Sequence, residues 1–257
     1  MRYKIRVFMR LVALSVFCLS ASVLFPFGFS KDGSSSVNLQ TFCISDFGDT
    51  NDVTEGIVWR SKYSRFQKYA DEKGVYCTNV YVEGKPVGLD KRFDESQKYA
   101  LALKASFIKK GYNWIELYPV KVQGSVGQPP DPNTQGEVTT LPLQGVVKSL
   151  DLWIWGGNYD YDFSFHLLDY KGYLHIVEAG NIEYVGWKII QTAVPPYIPQ
   201  AETQVPFLKP IRLVAIKLLA SPEERVDQFY AYFDYMQVQT DVYMERFNGD
   251  DLAENVW

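Results

Sequence analysis

The chain has 257 residues, with 26 Lys and Arg against 30 Asp and Glu, a net charge of −4 at pH 7. Arg2, Lys4, Arg6 and Arg10 precede an apolar run over residues 11–27 and small residues at Gly28 and Ser30, the layout of an export signal cleaved before Lys31. Without that leader (residues 1–30) the balance is 22 to 30, a net of −8, which offers no electrostatic footprint for nucleic acid and leaves nothing to hold the chain in a membrane.

The rest reads as one all-β domain over residues 31–241, followed by an acidic tail over 242–257. β-Branched and aromatic runs predict strands at 75–82, 99–108, 112–118, 146–155, 161–168, 172–177, 187–192, 211–219 and 229–240, the pattern of a β-sandwich. Helix signals are few. Residues 59–70 place Trp59, Tyr63, Phe66, Tyr69 and Ala70 at a near-helical period that a packed loop also fits, and Ser221-Pro222-Glu223-Glu224 reads as one short helical turn. Residues 123–136 lack any apolar period and predict a long surface loop. Residues 195–210 hold five prolines and predict an extended crossover of the kind usually kept for function.

The densest stretch runs over residues 150–176 and contains Trp153, Trp155 and both histidines. Asp169-Tyr170-Lys171-Gly172 fits a type I turn in a hairpin. Pairing Leu168 with Tyr173 would put Phe163, Phe165, Leu167, Leu174 and Ile176 on one core face and His166 opposite His175 on the other. Such a histidine pair can ligate a metal or sense pH, but no third ligand is in reach by spacing, and two plain sheet residues is the favoured reading. Trp153 and Trp155 share one strand face while Leu150, Leu152 and Ile154 share the other, so both faces need cover. Inter-sheet core plus a protein interface is favoured over a sugar-stacking platform.

Cys43 and Cys77 remain after cleavage and read as one disulfide in an oxidising compartment, with two buried thiols as the alternative. Nothing points to catalysis: both histidines lie on one hairpin, no G-x-S-x-G elbow is present, and Asn248-Gly249-Asp250-Asp251 is only a fragment of a calcium loop. The chain reads as a non-enzyme without metal or cofactor.

Four strings in order, "KKGYNWIELYP" (109–119), "GVVKSLDLWIWGGNYDYDFSFHLLDYKGYLHIV" (145–177), "GWKIIQTAVPPYIPQ" (186–200) and "IRLVAIKLLASPEERVDQFYAYFDYMQVQTD" (211–241), resemble the FlaA family, the flagellar filament outer-layer (sheath) proteins of spirochaetes. The resemblance implies a jelly-roll, galactose-binding-like β-sandwich. It also implies a periplasmic location on the flagellar filament, with a core of flagellin (FlaB), sister FlaA-type subunits and other sheath proteins as partners, and an effect on filament stiffness, curvature and motility. On that reading the contact residues are Trp153, Trp155, Tyr159 and Tyr161 and, in the proline-rich segment, Pro195, Pro196, Tyr197 and Pro199. The alternative is a secreted carbohydrate-binding module that takes a glycan and holds a structural calcium near Asp234.

Overall fold

The structure, a computed structural model, describes residues 38–47, 56–89, 98–122, 136–200 and 210–242. The expected leader, the bulk of the 123–136 loop, residues 201–209 of the proline-rich segment and nearly all of the acidic tail lie outside the described residues.

Within them the chain forms β1 (Leu39–Ser45), β2 (Ile57–Tyr63), β3 (Thr78–Glu83), β4 (Tyr99–Ala105), β5 (Trp114–Val122), β6 (Gly136–Val138), β7 (Leu141–Pro142), β8 (Val146–Gly157), β9 (Tyr161–Leu168), β10 (Leu174–Asn181), β11 (Val185–Ala193), β12 (Arg212–Ala220) and β13 (Phe229–Asp241). They build two antiparallel sheets. The first runs β11-β8-β13-β4-β3, with β1 also on β13. The second runs β10-β9-β12-β5-β2, with β6 on β5 and β7 on β12. This is an all-β sandwich of jelly-roll type, and all nine strands expected from the sequence are present.

Period-two alternation explains the core. Leu101, Leu103, Leu150, Leu152, Ile154 and Phe233 of the first sheet face Ile115, Leu117, Phe163, Phe165, Ile216 and Leu218 of the second, each at most 1% exposed. In β13 the alternation breaks once. Tyr235 takes a φ of 41° and forms a bulge that brings both Phe233 and Met236 inward. At the edge where β2 meets β3, polar groups seal the sandwich. Asn79 Nδ2 donates to the Trp59 carbonyl (2.8 Å), Ser61 Oγ donates to Asn79 Oδ1 (2.7 Å), and Trp59 N donates to Tyr81 Oη (3.1 Å).

Two readings are settled and two expectations are corrected. Residues 59–70 are not helical: Trp59 lies in β2, 1% exposed, its indole donating to Ser45 Oγ at 3.0 Å and its ring 5.2 Å from Phe47. Ser221–Glu224 closes as the single short turn its residues suggest, with Glu224 N donating to the Ser221 carbonyl (3.0 Å).

The β9–β10 hairpin has the register one residue away from the expected one: Leu168 pairs with Leu174, Leu167 with His175, His166 with Ile176 and Phe165 with Val177. The type I turn over 169–172 is present, with Gly172 N donating to the Asp169 carbonyl (3.1 Å), but Gly172 stands at φ 89° and adds one residue before Tyr173 rejoins Asp169. A three-residue loop with a left-handed glycine makes this shift. Val177 therefore goes inward, Leu174 and Ile176 are 53% and 52% exposed, and the two histidines occupy opposite faces.

Cys43 and Cys77 are not joined to each other. Cys43 pairs with Gln237, whereas Cys77 sits just before β3, where Thr78 pairs with Lys104 and Lys104 with Tyr230. Along β13 that separation is roughly 20 Å or more at about 3.3 Å per residue, far beyond the ~7 Å Cα limit for a bridge. The Cys77 thiol donates instead to the Ser106 carbonyl at 3.3 Å, and burial raises its pKa.

Candidate functional site

The outer face of the first sheet is built by β8 and its neighbours. Because Leu150, Leu152 and Ile154 are committed to the core, Ser149, Asp151, Trp153 and Trp155 point away from it. Register aligns them with side chains on adjoining strands. One transverse row reads Trp187 (β11), Trp155 (β8), Tyr232 (β13), Ala102 (β4) and Val80 (β3). Trp155 and Tyr232 meet edge to face at 5.2 Å, and Val80 is 41% exposed. At about 4.8 Å per strand the row spans roughly 19 Å.

The next row reads Ile189, Trp153 and Asp234, and the next Gln191, Asp151, Gln237 and Cys43. In this last row Gln237 Nε2 donates to Asp151 Oδ2 (3.3 Å) and Ser149 Oγ to Asp151 Oδ1 (3.2 Å), so its polarity is largely satisfied internally. The face thus grades from an aromatic row to a polar one. Around Asp234, 0% exposed, no cluster of three or more metal-ligating side chains occurs among the described residues.

The sequence-predicted contact residues separate into three groups. Trp153 and Trp155 lie on this face, half-buried, but they differ: the loop after β3 lies against Trp153, where a Cβ on Gly88 would come within 3.0 Å of Cη2. Val87 in that loop is 99% exposed, while Pro86 and Leu89 are buried.

Tyr159 and Tyr161 are core residues, which corrects their assignment to an interface. Tyr161 is 1% exposed with its ring 4.3 Å from Phe229, and Tyr159 donates its hydroxyl to the Gln228 carbonyl (2.6 Å) beneath the Arg225 guanidinium. Burial raises the pKa of both phenols.

The proline segment forms a turn rather than an extended crossover in its described part. Ile198 N donates to the Pro195 carbonyl (3.1 Å) and Ile198 is 2% exposed. Pro195 and Pro199 are half-buried, and Pro196 and Tyr197 are exposed. Gln200 continues the docking by bonding both backbone groups of Val147, at 2.7 and 3.0 Å. This turn follows the Ala193 end of β11, about 20 Å along the strand from Trp187, so the two expected contact regions do not form one surface.

Sequence reasoning missed Trp187, Tyr232, Ile189 and Val87. The signal was present in β11, where Val185, Trp187 and Ile189 recur at period two; without knowing that β11 pairs with β8, it could not be attached to Trp155.

The family profile described as "Flagellar filament outer layer protein Flaa" matches residues 60–248. The chain belongs to the FlaA family. A relative from Brachyspira hyodysenteriae, a "Putative flagellar filament outer layer-like protein", is 26% identical over 175 residues, covering 68% of this chain and 73% of the relative. Among solved structures, the carbohydrate-binding module TmCBM61 with bound β-1,4-galactotriose is similar at a TM-score of 0.38 and 13% identity, over 78% of this chain and 99% of that one. The family 11 module of the Clostridium thermocellum cellulase Lic26A-Cel5E gives 0.39 and 12%, over 82% and 99%. What those modules bind is a property of those modules.

Proposed function

We propose that this FlaA-family protein is a structural subunit of the outer layer around a flagellin core in periplasmic flagella, where it contributes to filament stiffness and curvature. The observation that carries the reading is the Trp187–Trp155–Tyr232 row, which continues through Ala102 to Val80 on an open sheet face. Rigid, half-exposed aromatic side chains on a β-framework are what a protein contact uses as anchors, because they bury large apolar areas at small entropic cost. Family membership over residues 60–248 supports the same reading.

The test is co-sedimentation of purified protein with bare flagellin core filaments, beside unrelated filaments. The reading expects selective, saturable pelleting that drops at least about tenfold in apparent affinity for the Trp155→Ala, Trp187→Ala double variant. Both side chains are partly solvated, so the variant should remain folded by circular dichroism. A folded double variant that coats cores like the wild type removes this face from the interface, and wild-type protein that pellets equally with unrelated filaments removes the sheath role.

A further inference from the structure

The second sheet has its own outer face, and it is of a different character. β9 lies between β10 and β12, and Asp162, Ser164 and His166 project outward from it. Although they point away from the core, Ser164 and His166 are only 8% and 7% exposed. The cause is the height of the neighbours: Ile176 and Glu178 from β10 stand on one side, Lys217 and Leu219 from β12 on the other. Together these seven residues enclose a depression of about 280 Å³.

Two polar groups on this face lack what a folded protein normally supplies. His166 Nε2 is shielded from solvent and has no hydrogen-bond partner among the described residues, and the same holds for Arg60 Nε and Nη2. Arg60 pairs with Tyr118 on β5, while His166 pairs with Ala215 on β12, the strand next to β5. Leaving such a group unsatisfied costs on the order of 1–3 kcal/mol, so a buried orphan in a depression points to something that fills it.

The lining says what that is. Lys217 and Glu178 both pair with Ser164, from opposite sides, so an ammonium donor, a hydroxyl and a carboxylate acceptor stand in one row. Asp162 adds a second carboxylate, which already accepts from Asn181 Nδ2 at 3.1 Å. Two carboxylates oppose a phosphate or sulfate. Lys217, standing between β9 and the rest of the sheet, opposes a bare cation. Closely spaced donors and acceptors of both charge signs, with Ile176 and Leu219 as apolar sides, match vicinal hydroxyl groups, each of which donates and accepts.

We propose that this depression on the second sheet binds a neutral, polyhydroxylated ligand one saccharide unit in size, with Ser164, Lys217 and Glu178 contacting its hydroxyls and His166 at the floor. Burial, and secondarily Lys217, lowers the pKa of His166 against a smaller opposing effect of Glu116, so the imidazole is neutral and able to act as a hydrogen-bond partner for an uncharged group. The proposal does not depend on the sheath reading, because it concerns the isolated protein and the opposite face.

The experiment is an NMR titration of the purified protein with glucose, galactose, mannose and N-acetylglucosamine and their trisaccharides, with sodium sulfate and free lysine as charged controls. The observed signal is the His166 imidazole resonance, assigned by its loss in His166→Gln. The expected result is a saturable shift with at least one neutral sugar and none with sulfate or lysine. The affinity should be weakened about tenfold or more in Ser164→Ala and in Lys217→Ala, each folded by circular dichroism. No shift with any sugar would make the depression a hydration site only and overturn the proposal. A shift driven by sulfate or lysine would overturn the ligand class, and sugar binding undiminished in both variants would overturn the location. None of these outcomes bears on co-sedimentation with core filaments.

Discussion

His166 stands on an outward face with its Nε2 out of solvent, whereas His175 faces the other way and bonds the buried Asp169 carboxylate at 2.9 Å. His166 and Asp169 therefore make different contributions to pH dependence. For His166 the folded-state pKa is lowered, chiefly by burial, so the unfolded chain binds the proton more readily. Its contribution to stability is intact above the ordinary histidine value of about 6.5 and declines as pH falls below it. Asp169 acts lower on the scale. Burial raises its pKa, but hydrogen bonds from His175 and from the Tyr173 and Lys171 amides outweigh this and hold it below the ordinary carboxylate value; that contribution is lost only in stronger acid. Thermal unfolding between about pH 7.5 and 5.5 should thus show a fall in Tm that His166→Gln flattens. An equally steep fall in the variant would remove His166 as its source. At this scale the sequence was legible where chemistry is local and opaque where one backbone angle decides. The Asp169–Gly172 turn could be read from its residue types, but the left-handed Gly172 that shifts every later pairing by one could not. Likewise, nothing in "FDYMQ" marks Tyr235 as the bulge residue.

Among the elements, runs with clean period-two alternation were legible, and β9 has the bounds expected of it. β2 was not, because Trp59, Tyr63 and Phe66 fall three and four residues apart while Lys62 and Arg60 dilute the strand pattern. Its place is settled by partners far away in sequence: the Trp59 indole bonds Ser45, and Asn79 bonds the Trp59 backbone. Strand order also decides the cysteines. Export chemistry favours pairing two thiols, but β1 joins the Asp241 end of β13 while Cys77 lies near its Phe229 end, across β4. The fold is held without that cross-link. Treatment with excess dithiothreitol should therefore leave Tm unchanged, and mass spectrometry after thiol alkylation should find no intramolecular bridge. A drop of several degrees on reduction would mean that β1 or β3 sits elsewhere in the native protein, since loss of a real disulfide typically costs about 2–5 kcal/mol.

For the whole molecule, the sandwich presents two outer faces of unlike chemistry. On the first sheet the Trp187–Trp155–Tyr232 row and the exposed Val87 and Ile189 offer apolar area, while Asp151 is occupied by Ser149 and Gln237. On the second, Lys217, Glu178, Asp162 and His166 surround a depression, and Lys62 lies 4.3 Å over the Tyr118 ring. On the proposed sheath reading one of these faces contacts the filament, and the two would do so differently as ionic strength changes. Apolar anchoring through the first face should be almost indifferent to salt, because screening acts on separated charges and not on buried hydrocarbon. Attachment through the charged second face should weaken as the Debye length shrinks from about 10 Å at 0.1 M to about 3 Å at 1 M. Co-sedimentation with core filaments across that range is expected to keep the same midpoint within about twofold, and to weaken in the Trp155→Ala, Trp187→Ala variant equally at both ends. A midpoint that moves tenfold with salt, while the double variant matches the wild type, would transfer the filament contact to the second sheet. The saccharide-sized depression would then lie inside the assembly rather than on its exterior.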